Sequence, residues 1–196
     1  YKSGYSVSTK SNRTDFCGKI PASISSLRAL EVFTLDRGEF FGELPEELGS
    51  LSSLKKLELN GNYFTGRIPP SLGNLENLEV LNLSCNYLSG ELPESLSSCR
   101  ELKILNLNGE PEYRQELSGE IPRSYSELLN LEEFDVSFTD LAGAIPEWEA
   151  ESRPERIDFD GSNIFDPAVI AAVVQGIEEL LQNNQAEVEN DFRIIQ

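Results

Sequence analysis

The sequence predicts an α/β solenoid, in which short units of one strand and one return segment stack side by side. Three observations predict this fold class. A Gly-x-apolar-Pro turn recurs along most of the chain, a frame of leucines recurs with it, and both patterns end before an amphipathic stretch near the C-terminus. A fixed period in the twenties is typical of stacked repeats, because no single unit can bury its apolar face alone.

The turn is the clearest signal of the period. Its successive copies begin 24, 24, 24, 29 and 24 residues apart, at Gly18, Gly42, Gly66, Gly90, Gly119 and Gly143. Glycine gives the backbone freedom at such a turn, and the proline three positions later fixes φ. We therefore expect one turn per repeat, in the segment that returns from each strand.

The leucine frame places the strands. In Leu51-x-x-Leu54-x-x-Leu57-x-Leu59-x-x-Asn62 the alternating pair predicts a short strand with its leucines facing inward. Asn86 repeats Asn62, whereas Gly38, Glu110 and Thr139 take this position in other repeats, which predicts differently bonded turns there. The 29-residue interval inserts residues around 109–116, and an insertion in a solenoid is expected to leave as a loop.

The complete pattern resembles the plant-specific type of leucine-rich repeat, LxxLxxLxLxxNxLxGxIPxxLGx, over roughly residues 16 to 165. This resemblance implies a right-handed, curved solenoid of about six 24-residue repeats, with a parallel β-sheet on the concave face. Members of the class bind ligands or proteins, as receptor ectodomains and polygalacturonase-inhibiting proteins do. Most of the Leu, Gly and Pro residues in the pattern are expected to be structural.

Four segments follow from these boundaries: an N-terminal lead or partial cap (1–16), the solenoid (17–165), a helix (166–182) and a polar tail (183–196). Asp166-Pro167 is a typical helix start, and the apolar residues after it fall on one stripe. The helix is predicted to cap the last repeat, although docking a partner would use the same stripe. Cys17 has no second cysteine nearby, unlike the paired cysteine caps of extracellular relatives.

Composition excludes several function classes. The chain carries a net charge of −18 with no histidine, so nucleic acid is a poor partner and the usual catalytic base is absent. No run of 18 apolar residues exists, so no membrane span is expected. We expect no enzyme activity, no cofactor, and no disulfide between Cys85 and Cys99, whose places in the repeat differ.

Outward positions of the predicted strands make the candidate binding face. Its residues are mainly amides in the middle and acids toward the C-terminal end: Glu58, Asn60, Asn82, Asn106, Asn108, Glu133, Asp135, Phe138, Asp158 and Asp160. The acidic group could receive Lys or Arg from a protein, or Ca²⁺. Phe138 is either an aromatic anchor for a partner or packed against the next turn.

These features predict a non-catalytic protein-protein interaction module that binds a partner through the concave face. The partner is expected to be a protein with a basic contact surface, and the chain a monomer or one subunit of a hetero-complex. A structural accessory subunit of a larger assembly is the alternative, and an inhibitor of the polygalacturonase-inhibitor type is a more distant one. An extracytoplasmic location is favoured, and Asn12-Arg-Thr14 and Asn82-Leu-Ser84 match the glycosylation pattern.

Overall fold

The computed structural model describes residues 5–10, 17–112 and 114–175, with side chains described for 17–35, 37–112 and 114–175. The chain divides into two compact units, Tyr1–Ile164 and Phe165–Gln196. The first unit holds the repeats. The glycosylation pattern at Asn12 and the tail 183–196 lie outside the described residues.

The predicted sheet is present as a parallel sheet, here called sheet 1, with one strand from each repeat. Its strands pair in the spatial order β1-β3-β5-β7-β9-β11-β13. Their bounds are Tyr5–Lys10 (β1), Leu30–Asp36 (β3), Lys56–Glu58 (β5), Val80–Asn82 (β7), Ile104–Asn106 (β9), Glu133–Asp135 (β11) and Arg156–Asp158 (β13). The N-terminal lead therefore contributes a strand of its own, which pairs with β3.

Leucines of successive repeats lie directly beside one another in this sheet. Leu57 pairs with Leu81 and Leu81 with Leu105, and Phe33 and Phe134 extend the row at its two ends. These side chains are all buried. Burying a side chain of this size stabilises a fold by roughly 1.5–3 kcal/mol, so the row is a main source of stability. The predicted inward frame is confirmed.

A second parallel sheet, sheet 2, follows the first sheet in every repeat and was not predicted from the sequence. Its strands are Cys17–Gly18 (β2), Glu39–Glu43 (β4), Tyr63–Gly66 (β6), Tyr87–Gly90 (β8), Gln115–Gly119 (β10), Thr139–Ala144 (β12) and Asn163–Phe165 (β14). Most of these strands end in the glycine of the recurring turn. Those glycines have positive φ, for example +77° at Gly66 and +81° at Gly90, which favours glycine over any other residue.

Short 3-10 helices complete the repeats. They span Ala22–Ser26, Glu46–Ser50, Pro70–Asn74, Glu94–Ser98 and Arg123–Glu127, and each begins directly after the proline of a turn. The fixed φ of proline suits that entry position. These connecting segments run from each sheet-2 strand to the next sheet-1 strand, and they supply apolar residues to the buried core, such as Leu72 and Leu96.

Asn62 and Asn86 bond the repeats to one another from inside the core. The Asn62 amide donates to the carbonyl oxygens of Leu35 (2.6 Å) and Leu59 (3.0 Å), and its Oδ1 accepts from the N–H of Gly38 (3.1 Å). Asn86 repeats the two amide bonds one repeat later, to the carbonyl oxygens of Leu59 and Leu83, and its Oδ1 accepts from the N–H of Phe64. Because a buried backbone group without a partner costs about 1–3 kcal/mol, this asparagine satisfies groups that the turn would otherwise leave unpaired.

In the 29-residue repeat the asparagine position belongs to Gln115 and not to Glu110. Gln115 is fully buried, and its Nε2 donates to the carbonyl oxygens of Leu83 (3.3 Å), Leu107 (2.6 Å) and Asn108 (2.9 Å). The insertion is therefore residues 110–114, and the frame resumes directly after it. Glu110 is exposed. The sequence prediction placed the inserted loop correctly. It aligned Glu110, the first residue of the loop, with Asn86, whereas the structure aligns Gln115, the first residue after the loop.

Arg114 ties the end of this insertion to the two repeats that follow. Its guanidinium donates to the carbonyl oxygens of Thr139 (2.6 Å) and Gly161, and it lies 3.5 Å from the Asp140 carboxylate. The inserted loop is thus held by charge-assisted bonds.

Large aromatic residues fill the core next to the insertion. Tyr125 replaces a leucine of the 3-10 helices, is fully buried, and donates its hydroxyl to the carbonyl oxygen of Pro93 (3.0 Å). Its ring meets Phe134 edge-on at 6.4 Å, and Phe134 meets Trp148 edge-on at 6.1 Å. Trp148 is buried. Burial raises the pKa of Tyr125, so its hydroxyl stays protonated.

The second unit contains the predicted C-terminal helix, described over residues 167–175. Asp166 accepts a hydrogen bond from the N–H of Ala168 (2.9 Å) through its carboxylate, as an N-cap residue does, and Pro167 opens the helix. The start of the helix agrees with the sequence pattern, and its continuation lies outside the described residues. Its capping role stays a prediction.

Candidate binding face

The strands of sheet 1 align the outward side chains of successive repeats into columns. Strand pairing matches Thr34 with Glu58, Glu58 with Asn82 and Asn82 with Asn106, and then continues through Asp135 to Asp158. The column before it contains Val32, Lys56, Val80, Ile104, Glu133 and Arg156. Neighbouring strands are about 4.8 Å apart, so residues of one column are direct neighbours. We call this surface the sheet-1 face.

A repeated hydrogen bond at the strand ends orients the polar side chains of this face. The Oδ1 atoms of Asn82, Asn106, Asp135 and Asp158 each accept from the N–H of the residue two positions later, at 3.0–3.2 Å. Ser84 and Ser137 add a hydroxyl donor to the same oxygen, each at 2.7 Å. These local bonds lower the conformational freedom that a partner would otherwise have to remove on binding.

Asp135 does not present a carboxylate to solvent, contrary to its predicted place in an acidic binding group. The residue is 4% exposed, Oδ1 is bonded to Ser137, and Oδ2 accepts from the Asn108 amide at 3.1 Å. Hydrogen-bond donors arranged in this way offset the cost of burying a carboxylate. Asp135 therefore orients Asn108, and the sequence pattern alone could not show it, because crowding by neighbouring strands decides its burial.

The accessible charges lie on either side of an apolar centre. Val80 and Ile104 are half-buried in the middle of the face. On one side Glu58 lies 3.0 Å from Lys56, and on the other Glu133 lies 3.5 Å from Arg156. Beyond these, Asp158 is half-buried and Asp160 is exposed.

Phe138 packs against the next turn, as one of its two predicted readings proposed. A β-carbon added to Gly161 would come within 2.7 Å of the Phe138 ring. The Phe138 backbone has φ of +52°, and its N–H donates to the carbonyl oxygen of Asp160 at 2.7 Å. The ring thus keeps the turn in place, and it remains half-buried.

Charges along the edge of the face alternate in sign from repeat to repeat. Lys55 lies 3.1 Å from Glu31, and Lys103 lies 2.8 Å from Glu79. The hydrogen bond and the charge of Lys103 lower the pKa of Glu79, and Glu79 in turn raises the pKa of Lys103. These pairs are exposed, so solvent screens them and they contribute little to stability. They leave the edge close to neutral, and Glu58, Glu133, Asp158 and Asp160 carry the accessible acidity of the face.

Cysteine and metal chemistry do not add to this face. The three cysteines are free thiols: Cys17 is exposed, Cys85 half-buried and Cys99 buried. Burial raises the pKa of Cys99 to about 11. Within residues 5–10, 17–112 and 114–175, no group of three or more acidic or cysteine side chains is arranged to hold a metal ion. No helix in that part of the chain is long and apolar enough to cross a bilayer.

The protein-family model of the leucine-rich repeat region matches residues 12–178 of this chain. The chain therefore belongs to the leucine-rich repeat family.

Solved structures of plant receptors are similar to this chain. The leucine-rich repeat ectodomain of the Arabidopsis thaliana membrane receptor kinase GASSHO1/SCHENGEN3, in complex with CASPARIAN STRIP INTEGRITY FACTOR 2, is 40% identical with a TM-score of 0.69. The plant peptide hormone receptor RGFR1, in complex with RGF2, is 33% identical with a TM-score of 0.70. Both similarities cover 76% of this chain, but only 17% and 23% of the respective receptor chains.

A plant ice-binding protein also shares the fold. It is 29% identical with a TM-score of 0.65, over 76% of this chain and 47% of that chain. A search of curated proteins finds no match.

Proposed function

We propose that this chain is a non-catalytic module that binds a protein partner through the sheet-1 face. The observation that supports it most is the alignment of six outward residues per column, with their polar groups held by local hydrogen bonds. The similar receptor ectodomains were solved with the peptide RGF2 or with CASPARIAN STRIP INTEGRITY FACTOR 2 bound, so the fold supports binding of protein ligands.

The chemistry of the face favours an extended segment with basic groups. Val80 and Ile104 offer apolar contact in the centre, and Glu58 and Glu133 can exchange their own cations for those of a partner. The oxygens of Asn82 and Asn106 are bonded within the face, while their Nδ2 groups have no partner among the described residues. Two amide donors one strand spacing apart suit the carbonyl groups of a bound segment. This face has room for a standard interface of about 800 Å² per partner.

An extracytoplasmic location accompanies this proposal, because the similar receptor structures are ectodomains. The accessory-subunit alternative keeps the same binding face but predicts a permanent partner. Sizing of the native protein separates them: a free module elutes as a 21.8 kDa monomer, whereas a subunit elutes with its complex.

Charge reversal tests the role of the face. The unmodified chain should capture a partner from its native source, and the E58K/E133K variant should lose this partner. The charge reversal leaves the cations Lys56 and Arg156 unpaired on the face, so they repel a basic partner. Quantitative mass spectrometry of the captured proteins measures the difference. E76K/E94K makes the same charge change at exposed sites of the connecting segments and should capture normally. Asp135 is avoided because its reversal would bury an unpaired charge. Equal capture by both double variants would exclude the sheet-1 face as the site.

A further inference from the structure

Three neighbouring strands of sheet 2, β4, β6 and β8, each carry a large exposed aromatic side chain. Tyr63 is 52% exposed, Tyr87 43% and Phe41 46%. The rings of Tyr63 and Tyr87 are nearly parallel, with an angle of 8° between their planes and 6.1 Å between their centroids. Exposed aromatic side chains that cluster in this way commonly mark an interaction surface, because removing their apolar rings from water is favourable.

The register of sheet 2 places a carboxylate at each end of the tyrosine pair. Thr65 pairs with Tyr87, so Tyr63, two residues before Thr65, lies diagonally across from Tyr87, and the two rings stack there. Tyr87 lies two residues before Ser89, and Ser89 pairs with Glu116. Glu116 is therefore the next member of the column after Tyr87.

The other end of the column follows from the strand before. Phe41 pairs with Tyr63, so Glu39, two residues before Phe41, is the member that precedes Tyr63. The column reads Glu39, Tyr63, Tyr87, Glu116, and we call it the tyrosine column. Both glutamates are exposed, and neither forms an ion pair with any described cation.

A groove of about 180 Å³ opens between the two tyrosines at the start of their strands. Glu110, the first residue of the insertion, lines it together with Cys85. Burial, followed by the charge of Glu110, raises the pKa of the Cys85 thiol, so the groove holds a neutral thiol beside a carboxylate. Arg37 packs over Gly61, which also lines the groove, and the charge of Arg37 partly offsets the rise in the Cys85 pKa.

Charge decides which occupant suits this surface. Glu39 and Glu116 lie at the two ends of the tyrosine pair, Glu110 lines the groove between the rings, and the whole chain carries a net charge of −18. The faces of tyrosine rings attract cations, and a guanidinium can stack on a ring while it bonds a carboxylate. A neutral glycan could also stack on the rings, but it would leave the glutamates without a cationic partner.

We propose that the tyrosine column, with Phe41 beside it, docks an extended basic segment of a partner protein that crosses the strands of sheet 2. Glu39 and Glu116 are three strands apart, and each step of the column also moves two residues along the strand, so they are roughly 24 Å apart, which an extended chain spans in about seven residues. The segment therefore carries two arginines or lysines about seven positions apart, with apolar side chains between them that contact the tyrosines. This surface lies on the other sheet from the sheet-1 face, so the two can be occupied independently.

A synthetic peptide tests the proposal directly. The probe is an extended, capped peptide with two arginines about seven positions apart and alternating valine and threonine between them. The matched control peptide has glutamates in place of the arginines. Titration calorimetry with the full chain should show binding of the arginine peptide that is at least about tenfold tighter than that of the glutamate peptide, and added salt should weaken it, since exposed charges are screened.

Variants locate the binding site. Y63A/Y87A should weaken binding of the arginine peptide by about tenfold or more, because it removes both ring faces that the cations would contact. E39Q/E116Q should weaken it and remove most of the salt dependence. T65A/S89A, on the same two strands, and E58K/E133K, on sheet 1, should both leave the affinity unchanged.

Three outcomes would overturn the proposal. The first is equal binding of the arginine and glutamate peptides, and the second is undiminished binding to Y63A/Y87A. The third is binding of a neutral oligosaccharide to the tyrosine pair in the absence of peptide binding. Thermal unfolding of every variant checks that each is folded, which is expected because the replaced side chains are exposed or half-buried and none belongs to the buried core.

Discussion

In residues 39–96 the side chains that hydrogen-bond one repeat to the next are of the same type in successive repeats. In residues 97–163 these side chains are longer and differ from repeat to repeat. In the first region Asn62 and Asn86 bond the turns identically. In the second, Gln115 takes the asparagine position, Arg114 reaches across to Gly161, and aromatic rings fill the core. The comparison teaches that the backbone groups to be satisfied are the fixed requirement, and the residue that satisfies them is not.

The 3-10 helices show the same contrast on the other side of the core. Ser71 donates its hydroxyl to the carbonyl oxygen of Glu46, and Ser95 donates to that of Pro70, each at 2.7 Å. Gly49 and Gly73 permit this approach, since a β-carbon on either would lie within about 2.3 Å of a serine carbonyl oxygen.

Ser97 ends this series of serine bonds. It stands where Gly73 stands one repeat earlier, and its hydroxyl donates to the Glu94 carbonyl oxygen at 2.9 Å. Ser124, the counterpart of Ser95, would need that carbonyl, and its buried hydroxyl has no partner. One Gly-to-Ser change thus removes a bond between neighbouring repeats.

The largest expected effect compares the asparagine with the glutamine. Asn86→Ala should lower the free energy of unfolding by about 3 kcal/mol, because it leaves buried carbonyls and the Phe64 N–H unpaired. Gln115→Ala should cost less, about 2 kcal/mol, because Gln115 Oε1 already lacks a partner. Urea unfolding at equilibrium measures both. A larger loss for Gln115→Ala would reverse the ranking of the two regions.

A smaller effect is expected from the arginine of the insertion. Arg114→Ala removes bonds to the carbonyls of Thr139 and Gly161, and it should lower stability by about 1 kcal/mol, since the side chain is partly exposed. Hydrogen exchange should show faster amide exchange in residues 139–161. Arg100→Ala is the matched control, because Arg100 pairs with exposed Glu127 without bonding a carbonyl of a later repeat through its side chain. Equal protection in both variants would show that the insertion is not tied down.

The smallest effect differs in sign between the two regions. Ser95→Ala should cost about 0.5–1 kcal/mol, because its bond to Pro70 is lost. Ser124→Ala should be neutral or slightly stabilising, because the hydroxyl it removes is buried and unpaired. Urea unfolding of the two variants side by side measures this difference, and a clear loss of stability in Ser124→Ala would contradict the assigned role of Ser97.

The sequence predicted the parts of the fold that recur with a fixed period. The leucine frame placed the sheet-1 strands and the buried row through Leu57 and Leu81, and the six turns appeared where the glycines and prolines predicted them. Sheet 2 was missed because segments such as Tyr63–Gly66 are too short to show a strand pattern. They become strands only when neighbouring repeats stack, and a single stretch of sequence does not show that stacking.

The candidate site was predicted in its outline and not in its details. The columns of outward residues follow from the two-residue period of a strand, so their register was predictable. The burial of Asp135 and its bond to Asn108 depend on residues 27 positions apart, which no local pattern reports. Gln115 could have been found by removing five residues, the excess of 29 over 24, directly after Gly109. The tyrosine column needed the register of sheet 2.

The reach of Arg114 also bears on how such a gene can lengthen or shorten. Each asparagine bonds carbonyls of its own module and of the module before it, so a duplication or deletion of one 24-residue module in residues 39–96 would preserve these asparagine bonds. Past the insertion, the guanidinium depends on two later modules at once. The internal bonding therefore tolerates a change of copy number better in the N-terminal half than among the three modules that Arg114 connects.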